Sequence, residues 1–218
     1  MSRGQATSDR SRTTAPAENP SATRNKILAA ATPLFATRGA QGTTIRQIAT
    51  AASVNSQLIY YYFRDKEGLF QSVLERAASR VDRLLAEAAQ SEGPPRERLA
   101  RFIVEWVRVT LAEAPAIRML YRAMLEGDEA LAAKLQQHAG AHAAQIGSLI
   151  AEGIASGTFR AELDPNRAVA SLVGMVQYLA LAEPILFTSA KLKRGRGGRE
   201  AMAQHTADLF LRGLDSAR

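Results

Sequence analysis

Apolar residues recur along almost the whole of this 218-residue chain at intervals of three and four. Ile27, Leu28, Ala31 and Phe35 illustrate the pattern, which places all four on one face of a helix that ends near a glycine. The same spacing continues to the last apolar residues, and no alternating apolar and polar run is long enough to predict a sheet. The periodicity therefore predicts an all-α protein.

Segments rich in glycine, proline and aspartate interrupt this pattern and predict the ends of about nine helices. The expected helices span residues 23–39, 44–51, 56–62, 65–85, 95–113, 115–126, 128–156, 165–187 and 200–214. The chain then divides into three parts. Residues 1–22 are expected to form a disordered basic tail, residues 23–70 a three-helix unit, and residues 71–218 a larger helical bundle.

The net charge of +7 is unevenly distributed along the chain. Residues 24–81 contain eight Lys and Arg against three Asp and Glu, whereas residues 82–187 contain ten against thirteen. An excess of positive charge at one end favours contact with a polyanion such as nucleic acid. A solvated basic surface with no partner gives the same pattern, so charge alone leaves both interpretations open.

Two short expected helices, 44–51 and 56–62, are separated by a tight turn. Thr44 and Gln47 have the spacing of a capping box, which predicts where the first of the two helices begins. The preceding helix supports the pair. This arrangement is typical of a helix-turn-helix, whose second helix enters the major groove of DNA, so the segment predicts a DNA-binding unit.

Three consecutive tyrosines and a phenylalanine end the second helix, in the sequence LIYYYF. Because consecutive residues of a helix point about 100° apart, these rings cannot all face one core. Ile59 and Phe63 share a face and are expected to be buried, which directs Tyr60 towards the groove together with Ser56 and Gln57. The alternative is that the tyrosines are half-buried core residues.

Eight side chains are expected to contact DNA. Phenol, guanidinium and ammonium groups donate to phosphates, helix N-termini favour anions, and a glutamine can read an adenine edge. Lys66 is expected to bind phosphate beside the first amide groups of the following helix, unless it pairs with Asp65 or Glu67. The predicted DNA-contacting residues are Thr44, Arg46, Ser56, Gln57, Tyr60, Tyr61, Tyr62 and Lys66.

Residues 23–75, about a quarter of the chain, resemble the N-terminal domain of TetR-type transcriptional regulators. The similarity consists of three patterns in order. They are I-L-x-A-A-x-x-L-F before a glycine, T-T-I-R-x-I-A, and Y-x-Y-F-x-x-K-E-x-L. Because several spaced features agree in order, the resemblance is specific.

The resemblance implies a homodimer that binds double-stranded operator DNA through this domain. It also implies a variable C-terminal domain that binds a small molecule and then releases the DNA. Residue by residue, it implies contacts with the DNA backbone by Tyr60 and Lys66. Positions that commonly touch DNA in the family are occupied here by Arg46, Ser56, Gln57 and Tyr61, and a position that is often histidine or tyrosine is occupied by Tyr62.

The turn between the two short helices departs from the family pattern A-G-V-S-x-G, because it is A-S-V-N-S-Q in this chain. Both glycines are missing. Ser53 is therefore expected to adopt a positive φ, at a cost of about 1 kcal/mol. Gln57, in place of a small residue, puts a longer side chain at the DNA face.

Residues 168–182 are apolar nearly all round the helix, which indicates burial on two sides. Gln177, Glu183 and Pro184 favour a buried helix over a membrane span. We expect this helix and the last one to form a two-fold dimer interface, as the resemblance also implies, with a single monomeric core as the alternative. The candidate interface residues are Leu172, Val176, Leu179, Leu209 and Phe210.

Aromatic and methionine side chains lie on helices that are expected inside the C-terminal bundle. They can line a cavity for a hydrophobic or aromatic molecule, with Arg118, Gln177 and the two central histidines as polar contacts. Ordinary core packing is the alternative. The candidate cavity residues are Phe102, Trp106, Arg118, Tyr121, Met124, His142, Met175 and Tyr178.

No cysteine, apolar leader, nucleophile–base pair or glycine-rich phosphate loop is found, which predicts a cytoplasmic protein that is not an enzyme. His138 and His142 have the spacing of HExxH, but Ala139 replaces the glutamate and no third ligand is near, so no metal or cofactor is expected. Residues 191–199, KLKRGRGGR, are expected to form a flexible basic loop.

Together these features predict a ligand-responsive, DNA-binding transcriptional regulator. In the resembled family such a protein is most often a repressor, here one that a small hydrophobic or aromatic effector releases from its operator. An activator stays open, because the sign of regulation depends on the position of the operator. The other alternative is an all-α small-molecule-binding protein without operator repression.

Overall fold

The structure, a computed structural model, describes residues 20–127, 129–189, 192 and 195–216. These residues form nine α-helices and, apart from one isolated bridge between Phe159 and Asp215, no β-structure. The predicted all-α class is confirmed. The helices are α1 (Pro20–Arg38), α2 (Ile45–Ala52), α3 (Ser56–Phe63), α4 (Lys66–Ala89), α5 (Pro95–Ala112), α6 (Ala114–Leu125), α7 (Glu129–Ala155), α8 (Pro165–Ser189) and α9 (Arg196–Leu214).

Two helices begin earlier than the sequence analysis expects. α1 begins at Pro20, so residues 20–22 are helical and do not belong to the predicted tail, whose residues 1–19 lie outside the described ones. Proline suits this first turn because it has no amide hydrogen to leave unpaired. α9 begins at Arg196, so residues 196–199 of the predicted basic loop are helical, and most of the remaining loop residues are not described.

An apolar core lies between the first four helices. The ring centroids of Phe35 and Phe70 are 5.3 Å apart in an edge-to-face contact, and Met119 and Ala123 of α6 complete the same core. The N-terminal unit therefore shares its core with the bundle. Its large buried side chains include Ile27, Leu28, Phe35, Ile48, Ile59, Phe63, Leu69 and Phe70.

Local hydrogen bonds define the ends of α2 and the start of α3. Thr44 Oγ1 accepts from the Gln47 amide at 3.2 Å, and Gln47 Oε1 accepts from the Thr44 amide at 2.9 Å, which confirms the predicted capping box. Ser53 ends α2 at φ 51° and ψ 48°, the left-handed conformation expected from the missing glycine. Asn55 then begins α3, since its Oδ1 accepts from the Gln57 amide at 2.9 Å.

α5 is the central helix of the C-terminal bundle, because it packs against α4, α7, α8 and α9. Phe159, in the connection between α7 and α8, is buried directly beneath Gly153, where an added Cβ atom would lie 2.1 Å from the ring. The buried side chains of α5 are Leu99, Phe102, Ile103, Trp106, Val107, Val109, Thr110 and Leu111.

α8 continues through Pro184, which has no N–H to donate to the carbonyl oxygen of Ala180 one turn earlier. Arg118 of α6 replaces the missing donor: its Nη1 donates to that oxygen at 2.9 Å and lies 3.6 Å from the Glu183 carboxylate. Ala180 is fully buried. Arg118, predicted to contact a ligand, therefore connects α6 to α8.

α8 is long and apolar enough over Pro165–Thr188 to meet the length and composition criteria for a membrane span, and 28% of its most apolar stretch is buried. A single copy of the chain therefore covers only one side of this helix. Three of the candidate interface residues face that covered side or the monomer core: Leu172, Val176 and Phe210. They are corrected to core residues. Leu179 is half-buried.

The large apolar residues that α8 and α9 leave exposed form a different set. Tyr178 is 61%, Ile185 67% and Leu209 55% exposed, with Leu181 at 37%. Only Leu209 among these four was a candidate interface residue. We call these four side chains the α8–α9 apolar face.

Candidate nucleic-acid interface and apolar cavity

α2 and α3 present one buried side and one exposed side. Ile48, Ile59 and Phe63 anchor the two helices in the N-terminal core. On the other side of α3, Tyr60 and Tyr61 are 53% and 79% exposed. Their hydroxyls are free to donate to phosphate oxygens. The exposed predicted residues, which we call the α2–α3 face, are Thr44, Arg46, Gln57, Tyr60 and Tyr61.

Three further predicted residues, Ser56, Tyr62 and Lys66, are half-buried. Tyr62 packs against the N-terminal core, and its ring centroid lies 5.1 Å from that of Tyr61 and 6.2 Å from that of Phe63. The packing alternative for the tyrosines thus applies to Tyr62, whose ring supports Tyr61.

The positive charges beside this face are not neutralised locally. Among the residues that the structure describes, neither Arg46 nor Lys66 forms an ion pair, and Asp65 lies 4.0 Å from Arg64 instead. The alternative in which Lys66 pairs with Asp65 or Glu67 is therefore wrong. Both cations are available to a polyanion.

The N-terminus of α4 is already capped by a carboxylate. Asp65 Oδ1 accepts from the Gly68 amide at 2.7 Å, after a turn in which Arg64 has a φ of 70°. This carboxylate occupies part of the positive helix end that the sequence analysis assigned to a phosphate. A phosphate here would instead meet the Lys66 side chain and the amides of Lys66 and Glu67.

Arg24 of α1 is a further exposed cation near this surface, and sequence reasoning did not single it out. Its guanidinium carbon lies 5.2 Å from the ring centroid of Phe63. The attraction of a cation for an aromatic face holds this charge at the end of α3. The contact joins residues far apart in sequence, so no local pattern indicates it.

A cavity of about 540 Å³ lies between α4, α5, α6, α7 and α8. This volume suits a small organic molecule. The described lining residues are Gln71, Leu74, Glu75, Ala77, Ala78, Ser79, Val81, Asp82, Trp106, Thr110, Ala116, Ile117, Leu120, Tyr121, Met124, Gln136, His142, Val173 and Gln177.

Four of the eight candidate cavity residues line this space: Trp106, Tyr121, Met124 and His142. The other four do not. Phe102 packs beside Trp106 in the core, Met175 packs against the C-terminal core, Arg118 contacts α8, and Tyr178 belongs to the α8–α9 apolar face. Each of these four residues lies on a helix that lines the cavity, but on a side of that helix that does not face the cavity.

Sequence reasoning missed the contribution of α4, which supplies eight of the described lining residues. The small side chains of Ala77, Ala78 and Ser79 leave space beside the helix. That run of three small residues was the available signal. Such a run indicates a cavity only when the helices that pack opposite leave the space unfilled, and local sequence does not predict which helices those are.

The polar groups in the cavity wall have distinct surroundings. His142 Nε2 lies 2.9 Å from Asp82 Oδ1, an interaction that joins α7 to α4. Burial raises the pKa of the Tyr121 phenol above its ordinary value, so this group stays neutral at physiological pH. Thr110 Oγ1 and Gln177 Oε1 are buried without any hydrogen-bond partner.

The described residues contain no group of three or more His, Cys, Asp or Glu that could hold a metal. The side chain of His138 is not among them, so the expected absence of a metal site stays a prediction.

Two protein-family models match separate parts of the chain. Residues 27–73 match the model for bacterial regulatory proteins of the tetR family, and residues 92–181 match that for the tetracyclin repressor-like C-terminal domain. The two matches together span more than half of the chain. The chain belongs to the TetR family. Its N-terminal helix-turn-helix and helical C-terminal domain are those of this family.

Curated relatives of this TetR-family chain align over only part of their length. The transcriptional repressor NicS of Pseudomonas putida is 38% identical over 81 residues, which is 37% of this chain and 38% of NicS. The transcriptional regulator HbdR of Aromatoleum is 33% identical over 99 residues, 45% of this chain and 43% of HbdR. The chain thus aligns with less than half the length of these relatives, all of which are named as regulators.

Solved structures share the whole fold. The ketosteroid transcriptional regulator KstR2 of Mycobacterium tuberculosis superposes with a TM-score of 0.74 at 19% identity, covering 89% of this chain and 95% of KstR2. The TetR-family regulator PfmR of Thermus thermophilus gives 0.70 at 22% identity, covering 87% and 99%. At such identities the likeness concerns the fold alone.

Proposed function

We propose that this TetR-family chain is a DNA-binding transcriptional regulator that works in the cytoplasm as a homodimer. It represses an operator and is released by a small hydrophobic or aromatic molecule. The observation that carries the proposal is the α2–α3 face, which is exposed, anchored by buried residues on its other side and accompanied by unpaired cations.

The α2–α3 face supplies the base contacts and part of the phosphate contacts. α3 enters the major groove, where the exposed Gln57 amide reads a base edge and half-buried Ser56 assists it. Tyr60 and Tyr61 donate to phosphates, and Arg46 and Lys66 bind phosphates through charge. The hydroxyl of Thr44 accepts the capping hydrogen bond and keeps its own hydrogen for a phosphate oxygen.

The α8–α9 apolar face forms the dimer interface. Tyr178, Leu181, Ile185 and Leu209 are too large and too exposed to be left in water on α8 and α9, two helices that both pack against α5. A two-fold axis through this face brings four helices together and buries both copies of each side chain. Two α3 helices are then available for two half-sites about one DNA turn, roughly 34 Å, apart.

The cavity holds the effector, and two leucines connect it to the DNA-binding unit. Leu74 of α4 and Leu120 of α6 line the cavity and also pack in the N-terminal core. A molecule that pushes these side chains apart moves the helix that follows the α2–α3 face. The apolar side chains in the cavity wall, among them Val81, Trp106 and Ile117, support an apolar effector.

Two alternatives carry over from the sequence. An activator would use the same α2–α3 face and the same cavity as a repressor, so the position of the operator decides whether the protein activates or represses. A small-molecule-binding protein without operator function would need the cavity and not the exposed cations of the α2–α3 face. No enzymatic step is proposed, because the relatives are named as regulators.

Fluorescence anisotropy of the full chain on duplexes that tile its own upstream region tests the proposal. We expect one discrete site with nanomolar affinity and a steep loss of binding with salt. The combined variant Tyr60→Phe with Lys66→Ala should weaken binding at least tenfold. Arg167→Ala, which removes an exposed cation near the start of α8, is the control and should bind normally.

Weak binding that is equal on all duplexes, or unchanged binding by the Tyr60 and Lys66 variant, would contradict the proposal. Retained small-molecule binding in that case would favour the alternative without operator function.

A further inference from the structure

Arg24 is an exposed cation near the start of α1, four residues after that helix begins at Pro20. Its backbone is held in place because the preceding residue, Thr23, and Ile27 one turn later are both buried. Among the residues that the structure describes, Arg24 forms no ion pair. Its charge is therefore carried on a fixed helix without a described counter-ion.

A ring contact places this charge at the end of α3. The guanidinium carbon of Arg24 lies 5.2 Å from the ring centroid of Phe63, which is the last residue of α3. Residues three apart on a helix are neighbours on its surface, so Phe63 lies one turn from Tyr60. Lys66, the first residue of α4, follows Phe63 by three residues. Arg24 thus contacts the end of α3 that adjoins two of the proposed phosphate-binding residues.

The contact with Phe63 leaves the guanidinium suited to an anion. Phe63 is itself held, since it is 5% exposed and its ring centroid lies 6.2 Å from that of Tyr62. A guanidinium over an aromatic ring keeps the N–H donors at its edges available, and these match pairs of phosphate oxygens. Because the ring already limits the freedom of this long side chain, less conformational entropy is lost when a phosphate binds.

We infer that Arg24 binds a backbone phosphate of the operator beside the end of α3, where the Phe63 ring positions it. The inference rests on the proposed function, because it requires operator DNA, and it adds a contact from α1 to those of the α2–α3 face. Phosphates are alike in every sequence, so Arg24 contributes affinity and salt dependence but no selection among sequences. The alternative is that Arg24 only stabilises the fold through Phe63.

Fluorescence anisotropy of Arg24→Gln at several salt concentrations, on the operator duplex and on an unrelated duplex, tests this inference. Each dimer would lose two phosphate contacts, so the slope of log K against log salt should become shallower by about 1.8. Affinity should fall roughly tenfold on both duplexes, so that the ratio of the two affinities is kept. Arg24→Lys retains the charge and should keep the wild-type slope.

Arg83→Gln is the matched control. It removes the same charge from an exposed position on α4 that lies 17 residues, about 25 Å, beyond Lys66. We expect its affinity for both duplexes and its salt slope to equal those of the wild type. An equal loss of slope in Arg83→Gln would assign the effect to net charge and would contradict the inference.

A double-mutant cycle tests the role of the ring. Phe63→Leu keeps an apolar side chain in the N-terminal core and removes the aromatic face. Arg24→Gln should therefore weaken operator binding less in the Phe63→Leu background than in the wild type. The Tm of Arg24→Gln should stay within about 3 °C of the wild type, because an exposed cation–π contact contributes little to stability.

The outcomes separate this inference from the proposed function. If the wild type binds a specific operator and Arg24→Gln keeps the wild-type slope, the proposed function stands and this inference fails. A lower Tm with that unchanged slope would assign Arg24 to the fold. A loss of affinity on the operator alone would contradict a phosphate contact, and additive effects in the cycle would contradict positioning by Phe63. A wild type without any specific duplex would remove the proposed function, and this inference with it.

Discussion

Ser53 and Arg64 are the two non-glycine residues with a positive φ among those that the structure describes. They lie at either end of α3, so the helix that we propose to enter the major groove is held between two strained turns. Strain of this kind costs about 1–2 kcal/mol for a residue with a side chain. These two conformations therefore lower the stability of the DNA-binding unit at the turns that set the position of α3.

Ser53→Gly should stabilise the protein by about 0.5–1 kcal/mol, because glycine adopts the left-handed conformation without a Cβ clash. Urea unfolding followed by circular dichroism measures the change. Ser148→Gly in the exposed middle of α7 is the matched control and should destabilise by about 0.5 kcal/mol. If both substitutions changed the free energy of unfolding in the same direction, relief of backbone strain at Ser53 would be ruled out.

Arg118→Met should destabilise by about 1–3 kcal/mol, since it removes the donor to the buried Ala180 carbonyl. Pro184→Ala restores the backbone donor to that carbonyl. In the Pro184→Ala background, Arg118→Met should therefore cost much less, which a double-mutant cycle of unfolding free energies measures. If the two substitutions change the free energy of unfolding additively, Arg118 does not stabilise the protein through the Ala180 carbonyl.

At the scale of elements, α4 and α6 each contribute both to the N-terminal core and to the cavity wall. α4 begins at the α2–α3 face and supplies much of the described cavity wall, and α6 supplies Met119 and Ala123 to the N-terminal core. Arg118 also connects α6 to α8, the proposed dimer helix. A change in the cavity can thus reach both the proposed DNA-contacting surface and the proposed dimer interface through two helices.

The packing of α7 on its following loop gives a prediction at this scale. Gly153→Ala should destabilise by about 1–3 kcal/mol, because its Cβ would lie 2.1 Å from the Phe159 ring. Gly140→Ala on the same helix has no atom within 4 Å and should stabilise by about 0.5–1 kcal/mol. Thermal unfolding compares the stability of the two variants. An unchanged stability of Gly153→Ala would mean that the connection carrying Phe159 shifts to make room for the added Cβ atom.

At the scale of the whole molecule, a monomer leaves the α8–α9 apolar face uncovered. Ile185→Glu should weaken self-association at least tenfold, because a carboxylate would be buried against apolar side chains. Leu125→Glu is the control: this leucine is 89% exposed at the end of α6 and lies outside that face.

Analytical ultracentrifugation of the 23.5 kDa chain distinguishes monomer from dimer for these variants. We expect wild type and Leu125→Glu to sediment as dimers and Ile185→Glu as a monomer. A dimeric Ile185→Glu would place the interface on another surface.

Much of the DNA-binding unit follows from the sequence. The capping box at Thr44, the positive φ of Ser53 and the burial of Ile59 and Phe63 were all predictable. Each depends on neighbours within about one helical turn, where residue type and spacing determine hydrogen bonds and the buried face. The long helices were predictable for the same reason.

The sequence alone determined that this chain is helical, where its helices lie apart from the first turns of α1 and α9, and which short helix carries the exposed tyrosines. The tertiary structure alone decided which side of α8 is covered. Leu172 and Val176 are buried in the core, whereas Tyr178 and Ile185 are exposed. A helix that is apolar nearly all round has no preferred face, so only its packing partners select one. The cavity wall depends likewise on contacts between helices distant in sequence.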